Sequence, residues 1–106
     1  MSTREPPVGA VFSALSDPTR RRVVELLSTQ TSVTASGLSH ELPITRQAIS
    51  KHLATLAEAG LVSVSHEGRE ARYRLTPEPL TGAMHWMASA GARWDQRLAR
   101  LARRLS

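Results

Sequence analysis

The sequence predicts a mostly helical domain with one small β-hairpin, in the order α-α-α-α-β-β-α. Three observations predict it. The same helix-start signature occurs twice in close succession, at Thr34 and Thr45. Hydrophobic spacing switches from a helical period to strict alternation after Gly60. From Leu80 to Leu105 the apolar residues repeat every four and three positions without interruption.

A length of 106 residues suits one domain, expected over residues 8–106 after a flexible polar segment at 1–7. Lysine and arginine total 14 against nine acids, a net charge of +5, and every cation except Lys51 is arginine. The absence of cysteine excludes a disulfide framework, a thiolate metal site and a thiol redox sensor. The opening MSTREPPVGA lacks the basic-then-apolar pattern of a secretory signal, and no apolar run approaches the ~18 residues of a membrane span. The expectation is a cytoplasmic protein with no membrane association and an anionic partner. Charge alone does not locate that partner's site: residues 1–40 and 41–76 each net +1, and residues 77–106 net +3.

Element by element, Val8, Val11, Phe12 and Leu15 have the spacing of a short apolar helix over 8–15. Asp17 is an N-cap type and Pro18 suits the first helical position, so a second helix is expected over 18–28. Val23, Val24, Leu26 and Leu27 give it an apolar side, and Arg20, Arg21 and Arg22 crowd its start. Those arginines suit either phosphate contacts or ion pairs within the fold.

Thr34 follows Val33, with Leu38 placed to close a hydrophobic staple; Thr45 follows Ile44, with Ile49 in the same place. Short helices are therefore expected over 34–42 and 46–59, joined at Pro43, the second ending at Gly60. Next, Val62 and Val64 alternate with serines, Glu67 to Glu70 reads as a turn, and Ala71, Tyr73 and Leu75 alternate with Arg72 and Arg74. This is a hairpin with one apolar and one basic face. Helix, turn, helix and hairpin together make a winged helix-turn-helix.

The 4-3 repeat joins Leu80, Met84, Met87, Gly91, Trp94, Leu98, Leu101 and Leu105. A helix over 78–105 would be about 42 Å long, longer than the interior of a domain this size. Its first half can pack on its own domain; the outer half calls for a second copy. The expected partner-facing set is Phe12, Leu80, Met84, Met87, Gly91, Trp94, Leu98 and Leu101. Gly91 is either a close-approach point between helices or a break. Trp86, Trp94, Met84 and Met87 suit either core packing or a small apolar pocket between copies.

On the 46–59 helix, Ile49, Leu53, Leu56 and Ala57 define the inside, which turns Gln47, Ser50, Lys51 and Ala54 outward with Arg46 at the edge. Glutamine can pair bidentately with adenine, serine with several bases, and arginine or lysine with guanine or phosphate. The helix N-terminus offers free N–H groups to a phosphate. The expected DNA-reading set is therefore Thr45, Arg46, Gln47, Ser50, Lys51 and His52. On the hairpin, Arg69, Arg72 and Arg74 are placed for phosphates or a minor groove, although Glu67 and Glu70 temper a purely electrostatic grip. The arginines at 97, 100, 103 and 104 read as a solvated flank.

The segments ALSDPTRRRVVELL (14–27), LPITRQAISKHLATLAEAGLV (42–62) and GREARYRLTPEPL (68–80) resemble the ArsR/SmtB family of bacterial winged-helix repressors. The resemblance spans about residues 8–105. It implies a homodimer joined through first and last helices that binds an imperfect palindrome in a promoter and blocks transcription. Many members of that family release DNA on binding a metal. This sequence departs from them: Thr34 and Ser36 stand where metal-sensing members place a Cys-x-Cys pair, and the last helix carries only His85 and Asp95 of the usual ligand types in its body. The expectation is a regulator without metal or other cofactor, resembling the metal-less members, its inducer unidentified.

Two rival classes remain open on the sequence. A winged helix can serve as a protein-interaction module, without DNA. An enzyme has the least support, because no nucleophile–base set, carboxylate pair, phosphate-cradling glycine loop or metal triad can be assembled.

Overall fold

Capping residues set the helix starts. In a computed structural model, which describes residues 8–105, the elements run α1 (Val8–Ala14), α2 (Pro18–Ser28), α3 (Ala35–Ser39), α4 (Arg46–Glu58), β1 (Val62–Glu67), β2 (Glu70–Leu75) and α5 (Glu78–Leu105). The expected flexible segment at 1–7 lies outside the described residues. Asp17, Thr34 and Thr45 each have extended backbone, and each side chain accepts the N–H three residues on, from Arg20, Gly37 and Ala48. Each thereby satisfies one of the donors that a helix start leaves free.

The Asp17 carboxyl is held below its ordinary pKa, first by the Arg20 N–H hydrogen bond and, against some desolvation, by the charges of His52 and Arg20. A carboxyl with a lower pKa folded than unfolded stabilises the fold above the unfolded value, about 3.9, and loses that contribution as pH falls through the folded value. Thermal stability of the Asp17→Asn variant should therefore fall less than wild type between about pH 5 and about pH 3. An equal fall in both would contradict the capping role.

α3 is shorter than the expected 34–42. The Ser39 hydroxyl takes the Ser36 carbonyl at 2.6 Å, the chain tightens through His40 N–H to Gly37 and Glu41 N–H to Leu38, and Pro43 disfavours helix at the residue before it. α4 ends where glycine permits. Gly60 has φ +79°, its N–H reaches the Ala57 carbonyl and the Leu61 N–H reaches Leu56. That 6→1 and 5→2 pair is a Schellman closure, and it places Leu61, fully buried, at the start of the wing.

β1 and β2 pair antiparallel, with Ser63 opposite Arg74, Ser65 opposite Arg72 and Glu67 opposite Glu70. Gly68 and Arg69 make the two-residue turn, with Gly68 at φ +64°; a two-residue hairpin needs a positive φ there. The far edge of β2 carries a bridge absent from the periodicity reading: Val33 and Tyr73 exchange both backbone hydrogen bonds, at 2.9 and 2.8 Å. The apolar face of the hairpin is covered only near its base. Val62 is buried, whereas Val64, expected inward, is 47% exposed because the hairpin projects beyond the helices that cover Val62.

The core includes Val11, Val23, Leu26, Leu27, Leu38, Ile49, Leu53, Leu56 and Leu61, drawn mainly from α1 to α4 and the start of the wing. α5 adds one buried residue, Ala83, with Leu80 packed partly against the core. Beyond that point α5 is continuous through Gly91, so the alternative of a break there is overturned. Core packing of Met84, Trp86, Met87 and Trp94 is overturned as well, since all four are exposed. A single layer of helices cannot wrap a rod of this length. Among the described residues, no helix is long and apolar enough to cross a membrane.

Candidate nucleic-acid interface

α4 is the candidate surface because its two sides differ completely. Ile49, Leu53 and Leu56 are fully buried, which fixes the rotation of the helix about its axis. The opposite side presents Arg46, Gln47, Ser50, Lys51 and Ala54 to solvent. No hydrogen bond or ion pair within the described structure engages the Arg46, Gln47, Ser50 or Lys51 side chain, whereas Thr45 is engaged as the cap at 3.1 Å. The strip is thus a row of unsatisfied donors and acceptors on a rigid support, with Ala54 leaving room for close approach.

His52 does not share that strip. One residue past Lys51, it lies about 100° further round the helix. The structure places it half-buried, its Nδ1 3.4 Å from an Arg20 nitrogen. The same angular step was legible in the sequence.

The wing arginines divide into two kinds. Arg69, in the turn, is exposed and has no ion-pair partner among the described residues. Arg72 is half-buried: its Nε donates to the Ser32 hydroxyl at 2.9 Å and it pairs with Glu70 at 3.2 Å. Arg74 lies 3.7 Å from Glu67. The register explains both pairs, because Glu67 and Glu70 fall on the same face of the hairpin as Arg72 and Arg74. Pairs this exposed contribute about 0–1 kcal/mol and yield readily to a competing anion.

Of the arginines opening α2, Arg20 and Arg21 are tied to the fold, whereas Arg22 makes only an exposed pair. Arg20 Nε donates to the Ala14 carbonyl at 2.6 Å, Arg21 to the Leu15 carbonyl at 2.8 Å, and Arg22 pairs with Glu25 at 3.2 Å. Arg20 and Arg21 thus close the end of α1, a role with no local sequence signal.

The third part of the site is an uncovered apolar face. Phe12 of α1 meets Trp86 of α5 edge-on, with ring centroids 5.9 Å apart. Around and beyond this pair Met84, Met87, Trp94, Leu98 and Leu101 are each about half exposed or more. Leu80, expected in the same face, is instead half-buried against its own core. A Cβ added at Gly91 would meet nothing within 4 Å, so the glycine is not required by packing inside this chain. Arg97 lies over the Trp94 ring at 5.9 Å. Among the described residues, no three His, Cys, Asp or Glu side chains group closely enough to hold a metal ion.

Comparison with known proteins supplies the family. The family model of a helix-turn-helix domain matches residues 15–65. The chain is 40% identical to the uncharacterized HTH-type transcriptional regulator YuzN of Bacillus subtilis, over 67% of this chain and 84% of that one. It is 35% identical to the transcriptional repressor SdpR of the same organism, over 73% and 84%. The structure superposes on an ArsR-like transcriptional regulator from Rhodococcus sp. RHA1 with a TM-score of 0.80 and 41% identity, covering 89% of this chain and 88% of that one. These relatives are regulators rather than enzymes. With its order of elements and these relatives, the chain belongs to the ArsR/SmtB family of winged helix-turn-helix repressors and is a DNA-binding regulator of transcription.

Proposed function

We propose that the chain acts in the cytoplasm as a homodimeric repressor of a palindromic operator in its own or a neighbouring promoter. The observation that carries this reading is the strip of unpartnered polar side chains on α4, held by a fully buried opposite face. In the major groove Gln47 pairs with an adenine edge, Ser50 takes an adjacent base, and Arg46 and Lys51 serve guanine or phosphate. Thr45 and the first N–H groups of α4 meet a phosphate. Arg69 leads the wing contacts, and Arg72 and Arg74 exchange their exposed glutamate pairs for phosphate as the duplex arrives. His52 supports α4 from behind.

Two copies join through Phe12 of α1 and Met84, Met87, Gly91, Trp94, Leu98 and Leu101 of α5, with the edge of Leu80. This pairing covers the apolar face that one chain leaves open, and it lets the backbones approach at Gly91. The protein has no catalytic activity and uses no metal or other cofactor to read DNA. Any inducer would act by changing the separation of the two α4 helices.

The test is Gln47→Ala on a duplex that the wild-type protein selects from a random-sequence pool. Affinity should fall by about 1–3 kcal/mol per half-site, with preference relaxed at one base pair and random duplex little affected. In Arg69→Ala, used as control, all sequences should weaken alike and the salt slope should flatten. Equal loss on selected and random DNA for Gln47→Ala would overturn the assignment of α4 as the reader.

A further inference from the structure

Arg20 stands where three helices meet. Its backbone N–H donates to the Asp17 carboxylate at 2.9 Å, inside the cap of α2. Its Nε and Nη2 donate to the Ala14 and Ser13 carbonyls at the end of α1, at 2.6 and 3.4 Å. Its Nη1 lies 3.4 Å from His52 Nδ1 on α4. One planar guanidinium therefore ties the end of α1 to the side of α4 that faces away from the recognition strip. At its other face α1 carries Phe12 against Trp86 of α5.

We propose that Arg20 is a positioning residue for DNA reading: it ties α4, whose buried face sets its rotation, to the end of α1 and so couples the pairing surface to the recognition strip. The inference rests on α4 being the reader. It follows from direction as much as distance. Every guanidinium nitrogen of Arg20 has a neighbour on α1 or on His52, so the side chain is aimed into the fold even though Nη1 and Nη2 each keep a second N–H. Because His52 sits behind the strip, moving it swings Gln47 and Ser50 across the groove. Lysine would keep the charge and lose the link, since one ammonium cannot span two carbonyls and a ring nitrogen in the geometry of a fork.

The experiment compares full-length Arg20→Lys, Arg20→Ala, His52→Ala and the Ala/Ala double variant with wild type. Affinity is measured across a salt series for a duplex the wild type selects from a random pool and for random duplex. Circular dichroism and sedimentation monitor fold and assembly. Both Arg20 variants should lose about tenfold on the selected duplex, comparable to one base-edge contact. Their salt slope, assembly state and random-duplex affinity should be unchanged, and adding His52→Ala to Arg20→Ala should bring no further loss. Wild-type affinity in Arg20→Lys, additive losses in the double variant, or a slope reduced by about one phosphate contact would each overturn the proposal. If Arg20→Ala does not fold, Arg20→Lys and His52→Ala decide the matter alone. A wild-type protein that selects no duplex would defeat the DNA reading itself. Arg20 is then judged by backbone amide shifts: displaced α4 resonances in Arg20→Lys support the link, and unmoved ones overturn it.

Discussion

A chain ending at Ala92 should keep its core, sediment as a monomer, and bind the selected duplex about 10²–10⁴-fold more weakly than the full chain. The fold should survive because the last buried residue, Ala83, lies well inside the cut, and every other core residue precedes it. The removed segment holds Trp94, Leu98, Leu101 and Leu105, large apolar side chains that the described residues leave about half exposed or more. Monomeric soluble proteins rarely present such contiguous apolar surface without a partner. The affinity falls because each half-site then binds alone, without the effective concentration that tethering gives the second contact. Leu98→Glu/Leu101→Glu in the full chain should act the same way. Sedimentation equilibrium checks both; a stable dimer from the shortened chain would contradict the pairing surface.

The second large effect concerns stability. Leu53 lies at the middle of the inner side of α4 and is fully buried among core side chains. Leu53→Ala should destabilise by about 2–5 kcal/mol through lost burial and an unfilled cavity. That is a large share of the roughly 5–15 kcal/mol that holds a domain together, and it lowers Tm by roughly 10–30 °C at fixed protein concentration. Ala54→Ser, one residue along and on the solvent side, should change stability by less than about 0.5 kcal/mol. Thermal unfolding followed by circular dichroism separates the two, and similar shifts in both variants would contradict the rotation assigned to α4.

Local signals in the chain specified most of this architecture. Asp17 before Pro18, the threonines at 34 and 45, and the glycine at 60 act within a few residues of themselves, and each does in the structure what its type implies. The strip on α4 was legible for the same reason, because a helix converts spacing into angle. His52, expected on the same strip, lies about 100° further round the helix and faces Arg20 instead.

What escaped the sequence is what depends on distant segments meeting. A single bridging residue such as Val33 has no period to detect, and its pairing with Tyr73 follows only once the hairpin is docked. The tie between Arg72 and Ser32 spans 40 positions. Arg20 read as one of three equivalent arginines, although its neighbours in space make it the junction of α1, α2 and α4. The glutamates of the wing were visible, but the register that sets them on the arginine face was not.

Chemical interference on the selected duplex tests the central claim most directly. Methylation at guanine N7 and hydroxyl-radical cleavage are read for the full-length protein and for the chain ending at Ala92. Two recognition helices yoked by α5 predict two major-groove tracts related by dyad symmetry, their centres about 34–36 Å apart or a multiple of that distance. The shortened chain should occupy the tracts one at a time and weakly. Protection without groove or sequence preference, or paired tracts undiminished in the shortened chain, would contradict it.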